Sequence, residues 1–286
     1  MDNAGLKEAE RKPAGGLEEK YYDFDGLSIR YVDSGPAERA PGAPAIFFIH
    51  GLGGSIEDNS ACFPYLARDW RVVAFDCPGT GKSDKPDREY DIDYLTDFSL
   101  ELATRLGLDK FYIAGGSQGG LQTLLCCLRA PERIYKAAVY SPAGVWAPNP
   151  MGAAFFSALP PVATKLFFRI SSMLWYSPGF AGAAELRRED LAEKDAYEQP
   201  GFGKHVFGCL VSQMSGDFRP MFRRIETPTL ILWGTHDFGM PSRMGDELHG
   251  LMKDSVLEKV PRAGHNIPKE RPEFFACRLT EFFSEG

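Results

Sequence analysis

The chain has no closely spaced cysteine pair of the C-x-x-C kind, no clustered lysine or arginine stripe, and no apolar leader at its amino end. Each absence closes a class of function. Its six cysteines, Cys62, Cys77, Cys126, Cys127, Cys209 and Cys277, are scattered, which argues against a disulfide framework and leaves no metal-ligand spacing. They read as reduced thiols packed in or near the core of a cytoplasmic protein, and neither a metal nor another cofactor is expected. A net charge of −7 without a basic stripe lacks the electrostatic footprint of a nucleic-acid binder. Residues 1–20 mix Asp, Glu, Lys, Arg, Gly and Pro without an apolar core, so a flexible tail is expected there rather than a signal peptide or anchor. The greasiest stretch, Met151 to Trp175, is broken by Pro160-Pro161 and by Lys165 and Arg169, so no membrane span is expected.

What is present is the material for a large α/β core. A chain of 286 residues with 44% hydrophobic content can bury one sizeable domain carrying an insertion. Tyr21 to Asp33 predicts a hairpin turning at Asp25-Gly26. Beside a short strand at Val256 to Val260, the runs Ala45 to Ile49, Arg71 to Phe75, Phe111 to Ala114, Ala137 to Tyr140 and Thr229 to Trp233 are apolar without polar alternation. That pattern fits parallel strands covered on both faces. Helical stretches separate them, such as Ile92 to Leu106 with Tyr94, Phe98, Leu102 and Leu106 four residues apart, so helices are expected on both sides of the sheet. The alternation stops between residues 145 and 220, where Val162, Leu166, Phe167, Ile170, Met173 and Leu174 form an apolar helix face. These residues are expected to form a helical cap over a core made of residues 21–144 and 221–286, at the strand ends where ligands bind in such sheets.

Gly115-Gly116-Ser117-Gln118-Gly119 sits between a predicted strand and a predicted helix. A sharp turn there lifts the serine Oγ clear of the sheet, and glycines two residues to either side allow the close backbone approach that the turn requires. A serine hydroxyl needs a base, and His265, in Gly264-His265-Asn266 beyond a short strand, is the best placed of the five histidines. Asp237, just after the strand ending at Trp233, is the candidate to orient that imidazole, and the chain order Ser, Asp, His is the one this elbow calls for. The alternative for Asp237 is a turn residue capping the helix that begins near Ser242. The N–H groups of Gln118 and of Leu52, in His50-Gly51-Leu52-Gly53-Gly54, are candidates for an oxyanion hole. His50 is read as a brace for that loop.

These elements together resemble the alpha/beta-hydrolase fold from about Tyr21 onward. The match rests on His50-Gly51, the segment Asp76-Cys77-Pro78-Gly79-Thr80-Gly81-Lys82-Ser83, the Ser117 elbow and the Asp237/His265 pair. The resemblance implies a mostly parallel, eight-stranded sheet with helices on both faces and a helical cap insertion. It also implies a serine-nucleophile enzyme, since epoxide hydrolases and haloalkane dehalogenases of this fold carry aspartate where Ser117 stands. Asp76 is read as a structural turn residue. Enzymes that cleave meta-ring-fission products are similar in size and cap placement, but usually carry Trp where this chain has Asn266. Prolyl iminopeptidases share the Asp76 segment, yet no acidic cluster for a free amino terminus is evident in the cap.

The function expected is a serine hydrolase acting on a small to medium, largely apolar carboxylic ester. Ser117 is the nucleophile, His265 the base, Asp237 its orienter, and Leu52 and Gln118 the oxyanion donors. Phe155, Phe156, Leu159, Phe167 and Trp175 are the candidate pocket residues. The partner is a small-molecule ester or related carbonyl compound, not nucleic acid, and the oligomeric state is open. A carbon–carbon bond hydrolase with the same triad and a weakly catalytic ligand receptor on the same fold are the alternatives.

Overall fold

In the computed structural model of the chain, which describes residues 14–40, 42–195 and 199–285, eight strands form one sheet. In chain order they are β1 (Glu19–Phe24), β2 (Leu27–Asp33), β3 (Ala45–Ile49), β4 (Arg71–Phe75), β5 (Phe111–Gly116), β6 (Ile134–Tyr140), β7 (Thr229–Gly234) and β8 (Ser255–Val260). They lie in the order β1-β2-β4-β3-β5-β6-β7-β8. β2 pairs antiparallel with β1 and β4, and every other pairing is parallel.

The apolar runs become parallel strands because both faces are covered. Phe47, Ile49, Val73, Ile113, Val139 and Ile231 point into one core. Their chain neighbours Ile46, Phe48, Val72, Ala114, Tyr140 and Leu232 point into the other. The strand period of two is intact, and each step simply meets another apolar layer.

The helices among the described residues are α1 (Phe63–Leu66), α2 (Ile92–Arg105), α3 (Gln118–Arg129), α4 (Pro150–Ser157), α5 (Thr164–Ser171), α6 (Ala183–Asp195), α7 (Pro200–Ser215), α8 (Arg219–Phe222), α9 (Arg243–Leu251), α10 (Ile267–Glu270) and α11 (Pro272–Ser284). α2 starts where the Asp91 carboxylate accepts the Tyr94 N–H at 2.7 Å, which satisfies one orphan donor of the first turn. Between β6 and β7 the described residues contain no strand, only α4 to α8 and short 3₁₀ turns.

Two expectations shift. Of the expected tail, residues 1–13 lie outside the described residues, whereas Ala14–Gly16 make a 3₁₀ turn and Glu19 already belongs to β1. Glu19 pairs across the hairpin with Val32, and its carboxylate takes the Arg30 guanidinium at 2.9 Å. Five of the six cysteines are buried as expected, but Cys277 is exposed on α11 beside the Glu281 carboxylate.

Candidate functional site

Ser117 sits at the turn from β5 to α3 with φ 53° and ψ −122°, a backbone conformation unusual for a residue with a Cβ. Its N–H donates to Tyr140 O at 3.1 Å and its carbonyl accepts from Leu121 N and Ala143 N, so the strained turn is held by both sheet and helix. The flanking glycines are needed for space. A Cβ on Gly119 would lie 2.3 Å from Ile49 O, and one on Gly115 would lie 2.5 Å from Gly119 O. Packing α3 this tightly against β3 leaves Ser117 partly exposed at the strand end while its neighbours are buried.

His265 and Asp237 meet there. The imidazole Nδ1 lies 2.7 Å from Asp237 Oδ2, and the other carboxylate oxygen accepts Met240 N–H at 2.8 Å. Asp237 thus serves its own turn as well as the histidine, and Ser242, not Asp237, occupies the cap position of α9. The carboxylate side chain is fully buried while the imidazole stays 19% exposed. Burial works against a proton on His265, and the Asp237 charge overcomes it, so the ring's pKa is raised above that of an ordinary imidazole. Ser117 and His265 line the same cavity.

The loop after β3 brings Gly51 and Leu52 to this cavity as well. Among the described residues neither Leu52 N–H nor Gln118 N–H donates to an acceptor of the chain; Gln118 is the first residue of its helix, where N–H groups have no partner in the preceding turn. His50 braces the loop. Its Nε2 accepts Cys77 N–H at 2.9 Å, which requires a lone pair there, and Nδ1 lies 2.7 Å from Gly51 O, so the fitting form is the neutral Nδ1–H tautomer. Asp76 is an anchor, fully buried, accepting Ile56 N–H and Lys82 N–H and pairing with Arg30.

The cavity has a volume of about 580 Å³. Of the expected pocket residues it is lined by Phe167 and Trp175, but not by Phe155, Phe156 or Leu159. Phe155 points to solvent at 60% exposure. Phe156 packs on Phe167 and Phe207, and Leu159 joins the same small cluster, so both fill the interior of the helical insertion. Sequence reasoning missed the apolar wall made by Trp146, Phe168, Leu174, Leu210, Met214 and Met240, and a polar wall containing Asp58, Asp190, Lys194 and Gln213. The charged residues of α6 had no signal of burial in the sequence, because its charge-rich pattern reads as a solvated face.

Two networks tie the insertion to the site. In the first, Gln213 of α7 donates to Gln118 Oε1 at 3.0 Å. The Gln118 amide nitrogen lies 3.5 Å from His205 Nε2, and His205 Nδ1 lies 2.9 Å from Pro78 O. Burial pushes His205 down to about 3, so it is a neutral link in this chain. In the second, His265 N–H and Asn266 N–H donate to Trp175 O, Ser177 N–H donates to Glu270 Oε1, and Ser177 Oγ lies 2.9 Å from His236 Nδ1. Lys269 completes it by bridging Asp58 at 3.3 Å and Asp190 at 2.5 Å, and Asp190 also takes the Tyr176 hydroxyl.

A family model described as the alpha/beta hydrolase fold matches residues 44–272, and the chain belongs to that family. It is 26% identical over 280 residues to the 2-hydroxy-6-oxo-6-phenylhexa-2,4-dienoate hydrolase of Burkholderia cepacia, covering 91% of this chain and 94% of the relative. It is 23% identical over 275 residues to the uncharacterized hydrolase YugF of Bacillus subtilis, covering 91% and 96%. Among solved structures it resembles a bacterial membrane phospholipase A described as a virulence factor, with 26% identity, a TM-score of 0.78, and coverage of 95% of this chain and 87% of that one. The chain is thus an enzyme of the alpha/beta-hydrolase type.

Proposed function

We propose that the protein is a serine hydrolase that cleaves a small to medium, largely apolar carboxylic ester through an acyl-enzyme, with residues 145–220 as its cap. One observation carries the reading. Ser117 on a strained elbow, His265 held by Asp237, and Leu52 line one cavity with an apolar wall, and the N–H groups of Leu52 and of Gln118, the residue after Ser117, are not used within the chain. Ser117 Oγ attacks the ester carbonyl carbon and its proton passes to His265 Nε2. The carbonyl oxygen takes up the negative charge facing Leu52 N–H and Gln118 N–H; each such donor typically contributes about 3–4 kcal/mol to the transition state. Collapse breaks the ester C–O bond, and His265 returns the proton to the leaving alkoxide. Water, deprotonated by the same histidine, then frees the acid and restores Ser117.

A carbon–carbon hydrolase is the second reading. It is supported by the Burkholderia cepacia relative, whose name specifies a dienoate, and by Lys194, a cation on the cavity wall that such a carboxylate can meet. Asn266 lines the cavity directly after His265.

The test is steady-state hydrolysis of p-nitrophenyl esters of increasing acyl length by wild type and Ser117→Ala, beside disappearance of a vinylogous diketone acid. Repeated ester turnover that peaks at one acyl length and falls about a million-fold in Ser117→Ala supports the esterase. Turnover of the diketone alone selects the second reading. A single acylation without release points to a ligand receptor and sinks both.

A further inference from the structure

Six buried side-chain polar atoms among the described residues have no hydrogen-bond partner, and two of them, Trp146 Nε1 and Asn266 Oδ1, belong to residues that line the cavity beside Ser117. Other polar groups of the wall are taken. Lys269 holds Asp58 and Asp190, Gln213 donates to Gln118, the Tyr140 hydroxyl donates to Asn59, and Lys194 lies over the rings of Phe168 and Trp175 at 5.5 and 5.4 Å. A buried donor or acceptor without a partner costs free energy, so one left unpaired on a cavity wall marks a place where a ligand atom can supply the bond.

Asn266 is the sharper case. It stands at the N-cap of α10, where an asparagine ordinarily uses its side-chain oxygen on an N–H of the first turn. Here the side chain makes no such bond. Pro268 has no N–H to give, and the N–H groups of Lys269 and Glu270 donate to the Asn266 main-chain carbonyl instead, at 3.2 and 3.1 Å. The backbone at this point is fixed, because His265 N–H and Asn266 N–H both donate to Trp175 O, at 3.0 and 3.3 Å. The carboxamide is held by no hydrogen bond within the described residues, so it is free to turn about its last torsion and offer either its oxygen or its nitrogen to the cavity. A hydroxyl complements both, since it gives one hydrogen and has lone pairs to receive another. An alkyl group complements neither.

The neighbouring histidine decides which end of the substrate carries that hydroxyl. In the proposed reaction the leaving alkoxide takes its proton from His265 Nε2, so the alcohol part of the ester lies against the residues that flank His265. Phe168, Leu174, Leu210, Met214 and Met240 remain as an apolar wall for the acyl chain. We propose that Asn266 is a specificity-determining residue that hydrogen-bonds a hydroxyl on the alcohol part of the substrate, so that the preferred substrate is the ester of an apolar acid with a diol or polyol. The inference rests on the esterase reading and names the substrate class within it.

The test compares 2-hydroxyethyl butyrate with propyl butyrate, which differ by a hydroxyl in place of a methyl group, each kcat/KM being divided by that ester's own rate with hydroxide. Wild type is expected to favour the hydroxyethyl ester about ten- to hundred-fold. Asn266→Leu should bring the ratio to about one, whereas Asn266→Asp, which keeps an acceptor of the same size, should retain a preference of about ten-fold or more. Asn266→Ala serves where the leucine is not accommodated. Because the ratio is read within each variant, a general loss of activity or of folded protein cancels. A wild type that treats the two esters alike overturns the proposal, and so does a ratio that Asn266→Leu leaves intact or that Asn266→Asp abolishes equally. Turnover of neither ester sinks the esterase reading instead, and the hydroxyl contact is then decided by calorimetric titration of Ser117→Ala with both esters. Tighter binding of the hydroxyethyl ester, lost when Asn266→Leu is added, upholds the contact; equal or undetectable binding overturns it.

Discussion

At the scale of single residues, the pairing of Asp237 with His265 makes the sharpest prediction. A base must be unprotonated, so kcat/KM is expected to rise with pH through the pKa of His265, and the Asp237 charge places that midpoint above the usual 6.5. Asp237→Asn removes the largest raising charge and leaves only Asp58 and Glu270 to oppose burial, so the midpoint should move to lower pH. It also offers Nδ1 an amide where an acceptor stood, which favours the wrong tautomer and should cost about ten-thousand-fold in kcat. A pH–rate profile of both forms checks the shift; an unmoved midpoint would mean that another group titrates. For stability the sign is opposite: the raised pKa contributes stability fully below 6.5 and loses it as pH rises through the folded value. The meeting of Asp237 with His265 was legible in the sequence because each sits within a few positions of a strand end, where local pattern and chain order suffice.

At the scale of elements, the turn at Ser117 is first of all a contact between two backbones. α3 approaches β3 so closely that Gly119 faces Ile49 O and His50 O with no room for a methyl group. Gly119→Ala is expected to force the helix outward, cost about 1–3 kcal/mol, and lower Tm by roughly 2–4 °C per kcal/mol in a domain of this size. Because the same helix presents Gln118 N–H, kcat should fall further than the stability loss accounts for, which comparison of melts with kcat at a low temperature will show. The strands were readable from their unbroken apolar character, and the structure explains why that character could not assign faces: both faces are core. The pocket was not readable for the opposite reason. On α4, α5 and α7 every turn carries apolar side chains, and which of them faces the cavity depends on how the helices pack. Phe167 and Trp175 turn toward the cavity, Phe156 packs within the helical insertion and Phe155 meets solvent, although all four have equal claims as aromatic residues.

At the scale of the whole molecule, the helical segment between β6 and β7 is joined to the rest of the chain through ions buried beside the cavity. Lys269, four residues past the histidine, reaches Asp58 in the loop after β3 and Asp190 of α6, with 8%, 14% and 6% of the three side chains exposed. Burial opposes charge on Lys269, yet the two carboxylates hold its pKa above the usual lysine range, and the Asp58 carboxyl is in turn held low. Such a cluster contributes modestly while intact but is costly to break from one side, because the remaining charges stay buried without a partner. Lys269→Met is therefore expected to destabilise the protein by about 3–5 kcal/mol. Adding Asp190→Asn removes one of the stranded carboxylates and should recover part of that loss, a non-additive pair measurable by denaturant titration. Trp175 O accepts the His265 N–H, so loosening the helical insertion also loosens the proposed base, and the single variant should raise KM and lower kcat together. A Lys269→Met chain with wild-type kcat and only an altered melt would show that the ionic tie is a matter of stability alone.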